Sequence, residues 1–461
     1  MTRTSALDRL EQALSRIADP KGEGARACLT VYADAARAAA DASDARARSG
    51  TPLGPLDGAI VSIKDLFDVA GEVTRAGSKV LLAEGKVATK DAVAVARLRA
   101  AGAVIVAKTN MTEFAFSGVG LNPHFGTPGN PYARHRIPGG STSGGAVAVA
   151  DGMCEIAIGS DTGGSTRIPA ALCGIVGWKP SKQRVPTDGA FPLSTTLDSI
   201  GAMARTVADC ARADAVMAGE VWRDLEPVTL KGLRLGLPLE LPFEDLDNEV
   251  EAWSCDAIGQ VEKAGAEVFD LPIPLFDDMM AINARGGFSP AEGYAVHRER
   301  VQARGKDIDP NVRMRIERGV SISPTAYAEM IAERQRLVCA MDALMTDVDA
   351  LVMPTTAIGA PMFEDVSTPE GFSQKNMLLL RNPSIANFFD LCAISLPIPD
   401  TLVQVGLMLV ARNGQDRKLF SIAAAIEQLF AGLPRVTPPR SYSYKAIDAL
   451  QTLGRRFTWR K

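Results

Sequence analysis

Residues 139–145 read GGSTSGG and residues 159–167 read GSDTGGSTR, and these two stretches decide how the chain is interpreted. Glycines on both sides of a serine allow the backbone to turn tightly and to approach a ligand closely. Such turns also leave successive backbone N–H groups pointing at one place. A serine nucleophile with an oxyanion hole needs both properties. The two stretches therefore predict a site for nucleophilic catalysis.

Ser165 in the second stretch is the candidate nucleophile, and it needs a base to remove its proton. The three histidines have no telling partners, and Arg167 breaks the G-x-S-x-G pattern of a nucleophile elbow. Lys64 is the alternative base, since it follows the largely apolar, strand-like run IVSI at residues 60–63. Burial would lower the pKa of its amine until the amine can accept a proton. A salt bridge between Lys64 and Asp65 is the competing interpretation.

Both glycine-rich stretches, together with VSIKD at residues 61–65, closely resemble the amidase signature family. The resemblance is strongest over residues 50–210, and the run at residues 161–180 is its most specific part. It implies a single amidase domain over residues 1–461, with a short C-terminal tail at 433–461. It also implies one large mixed β-sheet covered by helices on both faces.

The family's catalytic triad consists of a lysine, a serine that follows a cis peptide bond, and a second serine. Carried over to this sequence, these residues are Lys64, Ser141 and Ser165. The resemblance implies that Lys64, as a neutral amine, draws the proton of Ser165 through Ser141 while Ser165 attacks the substrate carbonyl. The oxyanion hole is expected from the backbone N–H groups of four consecutive residues: Thr162, Gly163, Gly164 and Ser165.

Several residues beside these motifs are candidates for supporting roles. Asp161 and Arg167 flank the nucleophile turn, and we expect an ion pair between them that braces the loop. We assign Met111, Phe116 and Ser160 to substrate binding. Met111 and Phe116 could equally belong to the hydrophobic core, and the sequence leaves this alternative open.

Apolar runs that alternate with helical patterns predict an α/β fold with helices on both faces of a central sheet. Leu7, Leu10, Leu14 and Ile17 have the spacing of an amphipathic helix. Further along, helices are predicted at 89–102, 247–264 and 326–345, and strands at 103–107, 233–237, 266–271 and 349–353. Two stretches are predicted to be irregular, residues 122–138 and 361–383.

Composition limits the functions that remain. The net charge of −4 provides no basic surplus for nucleic acid, and no apolar run is long enough to span a membrane. The N-terminus lacks the pattern of a signal peptide. Seven cysteines are scattered singly, which is typical of reduced packing residues in a cytoplasmic protein. No spacing of His, Cys or Asp indicates a metal site, and the predicted reaction needs no cofactor.

The predicted function is hydrolysis of a carboxylic acid amide to the acid and ammonia or an amine. A carbamate, urea-type or ester hydrolase with the same triad is one alternative. Another is the glutaminase subunit of a tRNA-dependent amidotransferase, which would need a partner and contact tRNA. Residues 396–400 (LPIPD) and 405–408 (VGLM) depart from the usual LPxG and GLQ patterns of such subunits, which favours a stand-alone enzyme. A homodimer remains open, and the uncharged Ile168 favours an apolar or aryl amide.

Overall fold

The computed structural model describes residues 4–238, 240–401 and 403–433. Apart from Leu433, the predicted C-terminal tail lies outside the described residues. In the described part of the chain, no helix combines the length and the hydropathy needed to cross a membrane.

Eleven strands in the described chain form one β-sheet, with the order β1-β3-β2-β4-β6-β5-β10-β11-β9-β7-β8. In chain order the strands are β1 (Cys28–Val31), β2 (Ile60–Lys64), β3 (Val104–Thr109), β4 (Ile156–Asp161), β5 (Val176–Lys179), β6 (Ser199–Ala204), β7 (Arg234–Leu237), β8 (Glu267–Asp270), β9 (Ala350–Pro354), β10 (Cys392–Pro397) and β11 (Gly406–Ala411). Strand β2 pairs in parallel with β3 and β4, and β7 pairs in parallel with β8 and β9. The remaining pairs are antiparallel. The predicted mixed sheet is therefore confirmed.

Helices connect most of the strands. Those in the described residues are α1 (Ala6–Ala18), α2 (Gly24–Ala27), α3 (Ala33–Ser49), α4 (Lys79–Glu84), α5 (Val93–Ala100), α6 (Ser143–Ala150), α7 (Arg167–Leu172), α8 (Val207–Ala218), α9 (Asn248–Lys263), α10 (Leu275–Ala284), α11 (Phe288–Arg304), α12 (Pro310–Glu317), α13 (Pro324–Leu344), α14 (Pro369–Phe388) and α15 (Asp416–Gly432). Single-turn 3₁₀ helices occur at Glu113–Ala115, Leu241–Phe243, Gly305–Asp307, Arg318–Ser321 and Glu364–Val366.

Successive side chains of a strand point to opposite faces of the sheet. Because both faces carry apolar side chains, helices cover the sheet on both sides. In β11, Leu407 and Leu409 belong to one hydrophobic cluster, whereas Met408 and Val410 belong to another. Both faces of this strand are buried, which explains why the central strands are continuous apolar runs. The α/β prediction rested on such runs and is confirmed.

The predicted irregular excursion at residues 361–383 is wrong over most of its length. Helix α14 begins at Pro369 and continues to Phe388. Pro369 occupies the first turn, where a proline costs the helix no hydrogen bond, and Pro383 is accommodated inside the helix. The loop predicted at residues 122–138 contains no helix or strand.

All seven cysteines are free thiols, but the prediction that each serves as a packing residue is only partly correct. Cys255 and Cys339 lie on the exposed faces of their helices. The other five cysteines are buried.

Candidate active site

The site lies where β2 and β4 end. The two strands are parallel neighbours, with Ile63 opposite Ile158, so their carboxyl ends meet at the same edge of the sheet. Lys64 is the last residue of β2, and Asp161 is the last residue of β4. In open α/β sheets this edge is where ligands bind. The topology therefore places the predicted lysine beside the loop that carries Ser165.

Lys64 is fully buried and lies among hydroxyl groups. Its Nζ is 2.7 Å from Ser141 Oγ and 3.0 Å from Ser160 Oγ. Burial lowers the pKa of Lys64 from its usual 10.5 to about 7, against the opposing charges of Asp161 and Asp198. A substantial share of the amine is therefore uncharged near neutral pH.

The competing salt bridge between Lys64 and Asp65 is not formed. Asp65 instead pairs with Arg75 at 2.9 Å and accepts a hydrogen bond from the Gly77 N–H. Lys64 has no ion-pair partner within 4.0 Å in the described chain. A buried amine without an ion-pair partner is favoured in its uncharged form.

Ser141 follows a cis peptide bond, Gly140–Ser141, as the resemblance implied. The Ser141 carbonyl accepts the Thr112 N–H at 3.0 Å, which ties the loop to the segment that follows β3. A Cβ at Gly140 would lie 2.7 Å from the Gly120 backbone, so only glycine fits there. The glycine before the serine therefore permits a close approach of two backbone segments.

Ser165 lies in the loop between β4 and α7 and is 3% exposed. Its carbonyl accepts the Thr142 N–H at 3.3 Å, so the two serine loops are directly adjacent. Within the described residues its hydroxyl makes no hydrogen bond, although it is not sealed off from solvent. The hydroxyl is thus available to a substrate.

Asp161 holds the nucleophile loop in shape through a fully buried network. Its carboxylate pairs with Arg167 at 2.9 Å, which confirms the predicted ion pair, and accepts the Gly164 N–H at 2.8 Å. It also accepts Thr166 N–H and the side-chain amide of Asn387. Burial alone would raise the pKa of Asp161, but the Arg167 charge and the hydrogen bonds hold it well below its usual range.

The four N–H groups assigned to the oxyanion hole differ in their surroundings. The Gly164 N–H is engaged by Asp161. In the part of the chain that the structure describes, the N–H groups of Thr162, Gly163 and Ser165 have no acceptor. Unpaired N–H donors beside a nucleophile are what a developing oxyanion requires.

A cleft of about 80 Å³ opens beside Lys64 and is lined by Ser160, Phe191 and Asp198, among others. The Asp198 carboxylate accepts the Thr162 hydroxyl at 2.5 Å and the Leu193 N–H at 3.0 Å. It thereby joins the wall of the cleft to the nucleophile loop. No pattern in the sequence indicates Asp198, because its partners lie far from it or in an irregular segment.

The three residues assigned to substrate binding lie in different surroundings. Ser160 lines the cleft and contacts Lys64. Met111 and Phe116 are 0% and 1% exposed and belong to the main hydrophobic cluster, which corresponds to the alternative that the sequence left open. Their role in binding remains a prediction. Among the described residues, no group of three His, Cys, Asp or Glu side chains is placed to hold a metal ion.

Comparison with known proteins identifies the family of the chain. The sequence model of the family described as Amidase matches residues 8–420. The chain is 37% identical over 401 residues to 2-amino-5-chloromuconic acid deaminase of Comamonas testosteroni, covering 86% of each protein. It is 34% identical over 465 residues to a glutamyl-tRNA(Gln) amidotransferase subunit of Symbiobacterium thermophilum, covering 92% of this chain and 93% of that protein.

Two further similarities complete the comparison. Indoleacetamide hydrolase of Pseudomonas savastanoi is 33% identical over 410 residues, covering 85% of this chain and 87% of that protein. A solved structure described as an amidase superposes with a TM-score of 0.82 at 32% identity, covering 93% of this chain and 97% of that one. On the family match, the relatives and the shared fold, the chain belongs to the amidase family.

Proposed function

We propose that this amidase hydrolyses its substrate through an acyl-enzyme on Ser165, with Lys64 and Ser141 as the proton relay. One observation carries the proposal: a fully buried lysine with a pKa near 7 has its Nζ 2.7 Å from the hydroxyl of Ser141. An uncharged amine in that position can accept a proton. The backbone hydrogen bond from the Thr142 N–H to the Ser165 carbonyl supports the second step of the relay, because it holds the two serine loops side by side.

The proposed reaction has two halves. Ser165 Oγ forms a bond to the amide carbon while its proton passes through Ser141 to Lys64 Nζ. The C–N bond then breaks, the proton returns to the departing nitrogen, and ammonia or an amine leaves. Water attacks the ester, gives its proton to the same relay, and releases the carboxylic acid with Ser165 restored. Every proton is accounted for without a cofactor or a metal.

Backbone N–H groups are proposed to stabilise the tetrahedral intermediate. Thr162, Gly163 and Ser165 supply the donors, while Gly164 keeps the turn in place through Asp161. Each donor of this kind is worth about 3 to 4 kcal/mol of transition-state stabilisation in a dry site.

The names of the relatives support amide hydrolysis but not one substrate. They include an indoleacetamide hydrolase and a deaminase of an amino-substituted acid. The same apparatus could act on a carbamate or an ester, because the reacting acyl carbon is the same. We propose a linear amide as the substrate class, and a cytoplasmic location is supported by the seven free thiols.

The proposal is tested by turnover of a panel of aliphatic and aryl amides, carbamates and esters. Ser165→Ala and Ser141→Ala should each lower kcat/KM by at least about 100-fold. Ser143→Ala is the matched control, because Ser143 lies two residues after Ser141, at the start of α6, and its buried hydroxyl has no partner among the described residues. Full turnover in Ser165→Ala would refute the proposed mechanism.

The amidotransferase-subunit function is the second candidate, because several relatives bear that name. We propose instead that the chain acts alone, on the departures from the LPxG and GLQ patterns at residues 396–400 and 405–408. Purification of the tagged protein from its own organism separates the two. A single active species supports a stand-alone enzyme, whereas a stoichiometric second subunit required for glutamine hydrolysis contradicts it.

A further inference from the structure

Asp198 lies directly before β6, and Thr162 lies directly after β4, at the edge of the sheet that carries the site. The two strands are antiparallel neighbours, with Asp161 opposite Ser199. One residue further in this register, Asp198 stands opposite Thr162, and the carboxylate accepts the Thr162 hydroxyl at 2.5 Å. Asp198 also lines the cleft, as does Ser160, which lies two residues before Thr162. The pairing of β4 with β6 therefore places an acidic side chain beside the proposed machinery.

The Asp198 carboxylate accepts three hydrogen bonds. One oxygen accepts the Thr162 hydroxyl, and the other accepts the N–H groups of Leu193 and Ser194, each at 3.0 Å. Backbone N–H groups can only donate, so these contacts suit an ionised carboxylate. Burial raises the pKa of Asp198, and the three hydrogen bonds and the charge of Lys182 oppose that rise. The hydrogen bonds are thus those of a negatively charged side chain.

Thr162 links this carboxylate to the proposed oxyanion hole. Its N–H has no acceptor among the described residues, whereas its side chain is held by Asp198. The turn that carries the carboxylate is itself braced, because Lys182 Nζ donates to the carbonyls of Thr195 at 2.8 Å and Asp198 at 3.2 Å. An oxyanion donor is effective when it is aimed before the reaction begins. The Asp198–Thr162 contact supplies such a constraint.

The charge of Asp198 also acts on the proposed base. Burial lowers the pKa of Lys64, and the charges of Asp161 and Asp198 oppose this effect because they favour the ammonium form. Asp161 is compensated by its ion pair with Arg167 at 2.9 Å. Asp198 forms no ion pair within 4.0 Å in the described part of the chain, since Lys182 bonds its carbonyl instead. Asp198 is thus the less compensated of the two charges that act on Lys64.

From these contacts we propose that Asp198 is a positioning residue: it holds Thr162 in the orientation that the oxyanion requires, and its negative charge acts on Lys64 from the wall of the cleft. Asp198 neither exchanges a proton nor forms a bond to the substrate in this role. The inference rests on the proposed function, because it concerns the same site.

The pH profile of kcat/KM for a neutral amide tests the role of the charge. In Asp198→Asn the ammonium form of Lys64 loses a favourable interaction, so the midpoint of the acid limb should move to lower pH by about 0.5 or more. A variant that merely loosened the site would admit water to Lys64, and the midpoint would move up toward the ordinary pKa of 10.5. The two explanations therefore predict shifts of opposite sign.

Asp188→Asn is the matched control for the charge. Asp188 is exposed and follows Thr187, which lines the same cleft. The variant changes the net charge by the same amount, but its carboxylate faces solvent, where water and salt screen its effect. Asp188→Asn should keep the wild-type midpoint.

Two variants of Thr162 test the contact itself. Thr162→Val removes the hydroxyl and leaves the charge of Asp198 in place. Its kcat and kcat/KM should fall together by about tenfold or more with little change in KM, because the oxyanion exists only in the transition state. Thr162→Ser keeps the hydroxyl and should retain most of the wild-type kcat. These variants keep the proposal testable if Asp198→Asn does not fold.

The rate at which a fluorophosphonate labels Ser165, measured over the same pH range, separates the two proposals. Labelling and turnover in the wild-type protein, with a midpoint that is unchanged or raised in Asp198→Asn, overturn the role of Asp198 while the Ser165 mechanism stands. Equal kcat in Thr162→Val and the wild-type protein also overturns it. Turnover of no amide together with no labelling of Ser165 overturns the proposed function, and the role of Asp198 with it.

Discussion

Lys64 sets the pH range in which the proposed mechanism can operate. Burial lowers the pKa of its amine to about 7, and only the uncharged amine can accept the proton of Ser165. Below this pKa the active fraction falls tenfold per pH unit, and above it the fraction approaches one. We therefore expect kcat/KM to rise with a slope of one up to about pH 7 and then to level off.

This profile is measured with a neutral amide, whose own charge does not change with pH. Ser143→Ala should give the same profile, since the variant leaves the Lys64 surroundings intact. A profile that is flat between pH 5.5 and 8.5, or that falls with rising pH, would contradict a neutral lysine as the base.

The same lysine links stability to pH. Between about pH 7 and 10.5 the folded protein holds Lys64 uncharged, whereas the unfolded chain holds it protonated. The unfolded state then binds one more proton, so stability rises with pH across this window. Relative to Lys64→Met, the wild-type free energy of unfolding should gain about 1.4 kcal/mol per pH unit.

Urea unfolding of both proteins at several pH values measures this difference. Below about pH 7 the two curves should run parallel, because the lysine is then protonated in the folded and unfolded states alike. Parallel curves over the whole range from pH 7 to 10 would mean that the lysine is charged in the folded protein.

At the scale of single residues, the sequence predicted those candidate site residues whose reactive side chain lies in a distinctive local pattern. Lys64 ends a largely apolar strand, and Ser141 and Ser165 each follow a pair of glycines, so each stood out in the sequence. Asp198 did not, because nothing beside it in the sequence distinguishes an aspartate that binds a distant loop. Its significance comes from the identity of its partners, which only the fold decides.

Helix α14 is the element on which the nucleophile loop depends most. Its Asn387 donates to both the carbonyl and the carboxylate of Asp161, and its side-chain oxygen accepts a hydrogen bond from Arg167 at 2.7 Å. Removing this amide leaves the buried Asp161–Arg167 pair short of partners. Asn387→Ala should lower the free energy of unfolding by about 2 kcal/mol and kcat/KM by more than tenfold.

Asn382→Ala is the control on the same helix. Asn382 is equally buried, but its amide donates to the carbonyls of Pro242 and Pro354, away from the nucleophile loop. Asn382→Ala should lower the free energy of unfolding by a similar amount but reduce kcat/KM less than Asn387→Ala does. Equal losses of activity in the two variants, measured at a temperature where both are folded, would show that α14 acts only through general stability.

Helix α14 also shows where local patterns mislead. Pro369, Gly371 and Pro383 resemble the breakers of an irregular segment, yet all three lie within the helix. The helix survives because Thr368 caps its start and because several of its side chains are buried against other elements. Tertiary packing of this kind outweighs local preference and cannot be deduced from the segment itself.

Over the whole molecule, one continuous sheet joins the two halves of the sequence. Strand β10 pairs with β5, placing Ala393 opposite Lys179, so the C-terminal strands extend the sheet that carries the site. Buried Lys179 donates to the Leu391 carbonyl across the same junction. We therefore propose that the chain folds as a single domain, as the sequence predicts.

A single domain should unfold in one cooperative step. Calorimetry should give equal calorimetric and van't Hoff enthalpies, and a fragment covering residues 1–210 should not fold by itself, because it would expose the apolar edge at β5. Two resolved transitions, or a folded fragment with native circular dichroism, would contradict the single domain.

The alternation of apolar runs and helical patterns was enough to predict the fold class, because a strand that is buried on both faces of the sheet is a continuous apolar run. The order of the strands was not predictable, because pairs such as β5 with β10 join segments far apart in the sequence. Long-range pairing of this kind depends on the packing of the complete chain.

The central claim, that Ser165 is a nucleophile activated through Lys64, is tested most directly with a fluorophosphonate probe, intact-mass spectrometry and peptide mapping. We predict one adduct per chain, located on Ser165, which forms at least about 100-fold more slowly in Lys64→Ala. An adduct on another residue, or an unchanged rate of labelling in Lys64→Ala, would contradict the account.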